Sequence, residues 1–239
     1  MTEQLELHIL FIVKNPYFDG YAVSYDEDLG KALSVSGEDK NFFANGRMLW
    51  LADWLGRKGK PTRTVLDFGC GTGSATPFIW KHLRPNSVLG TDISDESLQV
   101  ARNSYGETGA EFELTGQPRA KAFDVAFCNG VFHHIPPDGR QEALRYIFDS
   151  LEDGGVFALF ENNPWNPATR YVMSRCVFDV DAITLSPVEA RQRMENAGFK
   201  VQATRFLFVF PAALKVFRWM EKPLSPMPFG TQYVVIGMK

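Results

Sequence analysis

The residues with the clearest chemical potential form a glycine-rich loop after a short apolar stretch. Gly69, Gly71 and Gly73 occupy every second position, and Asp67 precedes them near the end of the apolar run. Glycine allows sharp turns with positive φ and lets backbone N–H groups approach a ligand closely. A helix is predicted directly after the loop, and its N-terminus would favour negative charge on a ligand. The pattern therefore predicts a nucleotide-type ligand at the carboxyl end of the first strand of a doubly wound sheet.

The neighbours of these glycines narrow the type of ligand. Dinucleotide-binding loops follow the pattern G-x-G-x-x-G, and this chain has Ser74 where the third glycine would stand. Asp67 would sit poorly beside a pyrophosphate, whereas it suits a ligand with an ammonium group and a sulfonium. Asp92 ends the next apolar stretch, where a carboxylate can accept both hydroxyls of an unphosphorylated ribose. Together the two acids favour an adenosyl ligand with a positively charged tail.

The segments around this loop must position it, and their apolar periodicity predicts an alternating α/β fold. A helix over 39–58 leads into the domain, and strands and helices then alternate, which favours right-handed βαβ units in a mainly parallel sheet. Gly154-Gly155 is expected to close one of the helices. The last strand is predicted to be antiparallel, because no helix long enough to cross the sheet precedes it. The predicted strands cover 64–68, 87–93, 111–114, 123–128, 156–161, 199–210 and 232–238, and the other predicted helices cover 74–83, 94–104, 140–151 and 187–197.

Five motifs, taken in chain order, resemble those of the class I S-adenosylmethionine-dependent methyltransferases. The resemblance covers roughly residues 60–165. It implies a doubly wound, Rossmann-like, seven-stranded and mainly parallel sheet with an antiparallel last strand, an N-terminal helical lid, and S-adenosylmethionine as the cofactor. The motifs are Asp67-x-Gly69-x-Gly71-x-Gly73, Asp92, Phe123-Asp124-Val125, Phe132-His133-His134-Ile135 and Leu151-x-x-Gly154-Gly155-x-Phe157.

The resemblance also implies which residues hold the cofactor. Gly69, Gly71 and Asp92 would contact it, and Asp67 would order the loop and the ammonium end of the ligand. Members often carry an Asp after the third strand that meets the adenine amino group; here that segment reads Thr115-Gly116-Gln117-Pro118, so Thr115 or Gln117 is the expected substitute. The predicted cofactor-binding residues are Tyr25, Arg47, Asp67, Gly69, Cys70, Gly71, Gly73, Asp92, Ile93, Thr115 and Asn129.

Residues after the fourth and fifth strands are candidates for the acceptor side of the site. His133 or His134 is a candidate catalytic base, because an imidazole can take a proton from a hydroxyl near neutral pH. The alternative is that one histidine packs under the following helix while the other is half exposed. Glu161, Asn162 and Trp165 are predicted to bind the substrate, although the first two would serve equally well to cap a turn.

The N-terminal segment supports two interpretations. Tyr17, Phe18, Tyr21 and Tyr25, with Arg47 on the next helix, would form a lid that excludes water from the cofactor. The same residues would serve equally well as a hydrophobic patch that holds the arm to the sheet.

The C-terminal quarter supports two interpretations as well. Residues 205–222 combine apolar bulk with Lys and Arg, which is typical of an acceptor pocket or a membrane-surface contact. The favoured alternative is a core strand that ends at Pro211, followed by an amphipathic helix packed on the domain. The stretch 228–233 resembles a bacterial subgroup often found with glycan or lipid biosynthesis genes, which favours a lipid-linked or sugar acceptor.

Composition excludes several classes of function. The net charge is -3 and no Lys/Arg-dense run occurs, so no nucleic-acid partner is expected. The Asp/Asn-Pro-Pro-aromatic motif of amino-directed nucleobase methyltransferases is absent after the fourth strand, although Asn162-Asn163-Pro164-Trp165 follows the fifth. Three cysteines without a CxxC pair, and four histidines without a ligand spacing, predict no metal. The apolar run at 9–13 is too short for a secretory or membrane segment, so a cytoplasmic protein without integral membrane association is expected.

The chain is accordingly predicted to be one domain over 1–239. It would comprise an arm or lid over 1–60, a cofactor-binding core over 61–165, and substrate-side elements with the C-terminal strands over 166–239. The predicted function is methyl transfer to a small-molecule or lipid/glycan-precursor acceptor. The alternatives are a non-catalytic S-adenosylmethionine-binding module and a nicotinamide-dependent oxidoreductase, and Asp67 and Ser74 count against the second.

Overall fold

The computed structural model describes residues 30, 33–176, 179 and 181–239. Its centre is a seven-stranded sheet with the strand order β3-β2-β1-β4-β5-β7-β6. The strands are β1 (Thr64–Phe68), β2 (Ser87–Asp92), β3 (Glu111–Leu114), β4 (Phe123–Asn129), β5 (Leu151–Asn162), β6 (Lys200–Leu207) and β7 (Gln232–Met238). The α-helices of the described residues are α1 (Lys40–Arg57), α2 (Thr76–Leu83), α3 (Asp95–Tyr105), α4 (Arg140–Ser150), α5 (Pro167–Met173), α6 (Pro187–Asn196) and α7 (Glu221–Leu224).

The order of the strands confirms the predicted doubly wound sheet. Strands β1 to β5 pair in parallel, whereas β7 runs antiparallel to both β5 and β6. The chain runs outward from β1 to β3 and then returns to β4 on the other side of β1. Such a reversal separates the loops that leave β1 and β4, and it opens a crevice at their carboxyl ends.

The core lies on both faces of the sheet because the central strands are apolar on both sides. In β4, Val125 and Phe127 join the cluster that packs under α1, while Ala126 and Cys128 join the cluster that packs under α4 and α6. This two-residue alternation follows from the pleat of a strand. The sheet is therefore covered on both faces, and its carboxyl edge is left for ligands.

Local capping fixes the helices that frame this edge. Asp39 accepts a hydrogen bond from the Phe42 N–H at 2.8 Å and begins α1. Ser94 accepts from the Ser97 N–H at 3.1 Å and begins α3, whose first turn carries Asp95, as the sequence predicts.

Two predicted boundaries are wrong, and both errors have a local cause. Gly154-Gly155 does not close α4, which ends at Ser150; both glycines lie within β5, and their backbone groups pair with Lys239 at 3.1 and 3.0 Å. Strand β6 ends at Leu207 rather than at Phe210, because Phe208 adopts φ of 61°.

The segment after β6 also differs from the favoured interpretation. Residues Ala212–Met220 form a 3-10 helix with a kink at Leu214, and the short α7 follows it. None of the side chains of this 3-10 helix is buried, and Val216 and Trp219 are 70% and 75% exposed. The segment is therefore a 3-10 helix rather than an α-helix, and it contacts the domain through Arg218, which pairs with Glu38 and lies over the Phe42 ring, while its larger apolar side chains stay exposed. Among the residues described, no helix combines the length and the apolar character needed to cross a lipid bilayer.

A buried carboxylate ties the start of β1 to the start of β4. Asp124 Oδ2 accepts from the backbone N–H groups of Arg63 and Thr64 at 2.8 and 3.3 Å, and both carboxylate oxygens accept from the Arg63 guanidinium. The hydrogen bond from the Arg63 side chain lowers the pKa of Asp124, and burial opposes this effect. The net result is a pKa below the usual value. The two strands that carry the glycine loop and Asn129 are thereby held in register.

We expect Asp124→Asn to lower the free energy of unfolding at pH 7 by about 1–3 kcal/mol, because hydrogen bonds to a charged group are lost. Since folding lowers the pKa of Asp124, its stabilisation is present above about pH 4 and is lost as the pH falls through the folded pKa. Urea unfolding of both proteins between pH 7 and pH 3 should therefore show the difference shrink in acid. Asp153→Asn, at an exposed pair with Lys121, is the matched control and should change little; an equal loss there would contradict the assignment.

Candidate active site

The glycine loop is held against β2 by backbone hydrogen bonds. The N–H groups of Gly69 and Cys70 both donate to the Thr91 carbonyl, at 2.7 and 3.0 Å. Gly69 has φ of +71°, and a Cβ at this position would collide with the Val131 side chain. Gly71 also has positive φ, but a Cβ there would meet open space. The loop is thus fixed by packing at Gly69 and open to a ligand at Gly71.

Asp92 holds the outer part of the same loop. Its Oδ2 accepts from the Gly71 N–H at 2.8 Å, and its Oδ1 accepts from the Ser94 N–H at 3.0 Å. Each carboxylate oxygen has more than one acceptor site, so these bonds leave capacity for ligand hydroxyls. The structure places Asp92 beside the glycine loop, and partly buried Ile93 follows it. The predicted ribose contact of these residues stays a prediction.

Two buried oxygen atoms at the carboxyl ends of β1 and β4 lack a hydrogen-bond partner among the described residues. They are Asp67 Oδ2 and Asn129 Oδ1. The strands that carry them are neighbours, with Asp67 paired to Phe127 in the β1–β4 register. An unpartnered buried acceptor costs free energy, so two of them at one edge indicate a ligand with N–H donors.

The electrostatics of Asp67 fit the same ligand. Asp67 is 2% exposed, and burial, helped by the nearby Asp92 charge, raises its pKa to about 7, whereas Arg47 opposes the rise. Arg47 is itself buried in α1 and donates to Gln232 Oε1 at 3.0 Å. Arg47 therefore lies near Asp67 and the glycine loop, and its guanidinium also binds Gln232 on β7. Its predicted partner Tyr25 and the other lid aromatics, Tyr17, Phe18 and Tyr21, lie outside the described residues.

The remaining predicted cofactor residues lie around the loop. Cys70 is buried, and burial, with the Asp67 and Asp92 charges, raises the pKa of its thiol well above the usual value, so it stays protonated. Thr115 follows β3, and its N–H donates to the Asp92 carbonyl at 2.8 Å. Gly73 has φ of +75° where the loop packs on α3. These contacts bring Cys70, Gly73 and Thr115 to the same edge as Asp67 and Asp92.

The acceptor-side residues form a buried polar cluster instead of a row along a crevice. Glu161 Oε1 accepts from the Phe132 N–H at 2.8 Å, and Glu161 Oε2 lies 2.6 Å from His133 Nδ1. His133 Nε2 and His134 Nε2 lie 3.3 and 3.6 Å from Asp179 Oδ1. Glu161 is 1% exposed, and both of its carboxylate oxygens already contact the chain. This disfavours the predicted role of Glu161 in binding the substrate. Sequence reasoning missed Asp179, which belongs to no motif.

The two histidines have opposite electrostatic environments. Burial lowers the pKa of His133, but the Glu161 charge and hydrogen bonds to Asp179 and Glu161 outweigh it and raise the pKa to about 10. Burial and the adjacent His133 lower the pKa of His134 to about 4. His133 has a carboxylate at each ring nitrogen, which leaves it no free atom for a proton from an acceptor. The predicted base role is therefore disfavoured for His133.

An open cleft of about 400 Å³ lies beyond the end of β5 and borders this cluster through Asp179. Trp165, a predicted substrate residue, is 51% exposed near this end of the sheet, whereas Asn162 pairs with Gln232 on β7. The ring of His133 packs beside Gly130, which directly follows Asn129. A chain of contacts from Asp179 through His133 to Gly130 therefore links the rim of the cleft to the turn after β4. The cleft is lined by Pro164, Arg170, Met173, Ser174, Asp179, Ala182 and Thr184.

A comparison with known protein families gives a match to the segment that forms this edge of the sheet. A family model described as a methyltransferase domain matches residues 66–157, which include the glycine loop, Asp92, Asn129 and the histidine pair. This match contains the motifs on which the resemblance in the sequence rests.

Two of the curated relatives illustrate different activities. A carboxy-S-adenosyl-L-methionine synthase of Campylobacter hominis is 24% identical over 173 residues, which are 62% of this chain and 74% of that protein. A trans-aconitate 2-methyltransferase of Variovorax paradoxus is 31% identical over 99 residues, which are 40% of this chain. The alignment spans 37% of that methyltransferase's own length.

A solved structure supports the assignment of the fold. A TehB-like SAM-dependent methyltransferase from Corynebacterium glutamicum superposes with a TM-score of 0.59 at 19% identity, covering 94% of this chain and 99% of that one. At this identity the likeness shows the fold, and the family model and the curated relatives add the cofactor. The methyltransferase-domain match over residues 66–157, the named relatives and the fold together support a class I S-adenosylmethionine-dependent methyltransferase with S-adenosylmethionine as the cofactor.

Proposed function

We propose that this chain transfers the methyl group of S-adenosylmethionine to a small-molecule acceptor held in the cleft beyond β5. The observation that carries the proposal is the pair of unpartnered buried oxygens, Asp67 Oδ2 and Asn129 Oδ1, beside the open face of Gly71. The methionine ammonium of the cofactor supplies the N–H donors that these oxygens lack. Asp92 would accept the ribose hydroxyls while it continues to hold the Gly71 N–H.

Catalysis would depend mainly on positioning. S-adenosylmethionine supplies a methyl group on a sulfonium, which an acceptor atom displaces in line with release of S-adenosylhomocysteine. The glycine loop and Asp67 would fix one partner, and the cleft residues would fix the other, so that the encounter becomes effectively intramolecular. Neither histidine is assigned proton transfer, since His134 Nε2, like His133 Nε2, faces Asp179.

The cleft favours an acceptor that is small and carries oxygen. Arg170 lines it, and a guanidinium is well suited to bind a carboxylate. The name of the trans-aconitate relative gives a small carboxylic acid as that protein's acceptor. A lipid- or glycan-precursor acceptor, favoured by the sequence around 228–233, is the alternative to screen second.

A second candidate function is chemical modification of the cofactor itself. The Campylobacter hominis relative, which is named as a carboxy-S-adenosyl-L-methionine synthase, aligns with 62% of this chain. Mass spectrometry of reactions with S-adenosylmethionine and a panel of carboxylic acids, then lipid-linked sugars, separates the two. Methyl transfer yields S-adenosylhomocysteine and a methylated acceptor, whereas a synthase yields a carboxylated cofactor.

We expect the full chain to bind S-adenosylmethionine and S-adenosylhomocysteine in calorimetric titrations and to give no heat of binding with NAD. The reason is that Asp67 disfavours a pyrophosphate and Ser74 interrupts the dinucleotide pattern. Binding of NAD alone, or of no ligand, would contradict the cofactor assignment. Binding without turnover on any acceptor would favour the non-catalytic module over the proposed enzyme.

Asp92→Ala should weaken S-adenosylhomocysteine binding by about 100-fold, because charged hydrogen bonds to the loop and to the ribose, each contributing about 1.5–3 kcal/mol, are lost. Calorimetry on protein shown to be folded by circular dichroism measures the change. Asp95→Ala is the matched control: this carboxylate lies three residues away, is exposed, and pairs with Arg102. Equal weakening by both variants would remove the specific role of Asp92.

The affinity for S-adenosylhomocysteine should rise with pH between 5.5 and 7 and level off above it. The pKa of Asp67 is about 7, so below this value an ammonium ligand must first displace the Asp67 proton, at a cost of up to about tenfold in affinity per pH unit. Asp67→Asn, which has no charge to gain, should give a flat profile. A pH dependence that persists in Asp67→Asn would mean that another group titrates.

A further inference from the structure

Three side chains from two separate segments converge beside the cleft. His133 and His134 occupy the turn after β4, and Asp179 lies in the segment that follows α5. One potential ligand atom from each residue, namely a ring nitrogen of each histidine and a carboxylate oxygen of Asp179, lies within 4.8 Å of the other two. Two imidazoles and a carboxylate form a donor set that proteins use for divalent transition metals.

The distances from the two histidines to Asp179 are close to those between ligands of a tetrahedral site. His133 Nε2 lies 3.3 Å and His134 Nε2 lies 3.6 Å from Asp179 Oδ1. Ligands bound to zinc at about 2.0–2.1 Å lie about 3.3–3.4 Å apart around a tetrahedron. Both distances to Asp179 are thus close to this spacing, and the ligand atoms of the two histidines lie within 4.8 Å of each other.

Glu161 supplies the outer carboxylate that such sites commonly use. It lies 2.6 Å from His133 Nδ1, and its other oxygen is fixed by the Phe132 N–H. A carboxylate at the far nitrogen of a metal-bound histidine sets the tautomer and the orientation of the ring. A metal ion would displace the proton from Nε2 of His133, because Glu161 holds the other proton on Nδ1, and the freed electron pair would face Asp179.

The second histidine distinguishes this cluster from a simple ion pair. One imidazolium between Glu161 and Asp179 would satisfy both carboxylates without further help. Here the His134 ring lies with its centroid 4.1 Å from that of His133, and its Nε2 is directed to the same Asp179 oxygen. Two imidazole nitrogens and a carboxylate oxygen thus converge on one point, which a shared cation would occupy in place of the imidazole protons.

We propose that His133, His134 and Asp179 bind a divalent transition-metal ion of the zinc type, with Glu161 as the outer-sphere partner of His133. Asp179 also lines the cleft, so a fourth ligand would reach the ion from that cleft. Three protein ligands with one open position are typical of zinc sites that bind a water molecule or a substrate oxygen. The proposal goes beyond methyl transfer and does not depend on it.

The test is titration of the full chain, stripped with a chelator and prepared without a histidine tag. Co²⁺ should bind at one equivalent with the intense visible absorption of a four-coordinate ion, and Zn²⁺ should displace it. His134→Ala and Asp179→Ala should each abolish that absorption. Glu161→Gln should weaken Zn²⁺ binding by about 10–100-fold, measured in competition with a chromophoric chelator.

The control is His82→Ala, since His82 lies on α2 and contacts Asn45, away from the cluster. This variant should bind Co²⁺ and Zn²⁺ as the wild type does. Absence of the four-coordinate spectrum in the wild type would overturn the proposal, as would its retention in Asp179→Ala. If Glu161→Gln does not fold, Asp179→Ala still decides, because Asp179 is partly exposed. The calorimetry with S-adenosylhomocysteine tests the methyltransferase assignment separately.

Discussion

The hydrogen bonds between the glycine loop and the end of β2 are the constraint on which the site depends. Two N–H groups of the loop share the Thr91 carbonyl, and a third donates to the Asp92 carboxylate. These bonds hold the loop in a conformation with positive φ at Gly69 and Gly71, which only glycine adopts without strain. Because β1 and β2 are paired in the sheet, these two buried strands fix the position of the loop.

This rigidity has an electrostatic cost at Asp67. Since folding raises the pKa of this carboxyl to about 7, the contribution of Asp67 to stability is complete below its unfolded pKa of about 4 and is lost as the pH rises through 7. A bound cationic ligand favours the charged form of Asp67, so it opposes this loss of stability as the pH rises. The site is therefore arranged to be more stable when the cofactor occupies it, as expected of a preorganised binding site.

The sequence predicted the architecture well because the relevant signals are local. The glycine spacing, the Ser94 cap and the alternating apolar runs identify β1, β2 and α3 to within two residues. Long-range contacts account for the errors. Gly154-Gly155 has the composition of a helix stop, yet the pairing with Lys239 draws both glycines into β5. Glu161 ends a strand as predicted, but only the fold reveals that His133 and Phe132 occupy it. No sequence pattern identifies Asp179, because only the fold brings this residue next to His133 and His134.

The insertion of β7 between β5 and β6 has a consequence for how the chain is made. On the ribosome, residues 64–129 can pair among themselves as soon as they emerge, because their contacts are close in sequence. The outer edge of β5 stays unpaired until residues 232–238 are made, and these form the last of the described strands in chain order. An apolar strand edge that stays open during translation is a template for pairing with other chains. Aggregation of nascent protein would therefore begin at β5, and the pairing of residues 232–238 with this edge is the event that protects it.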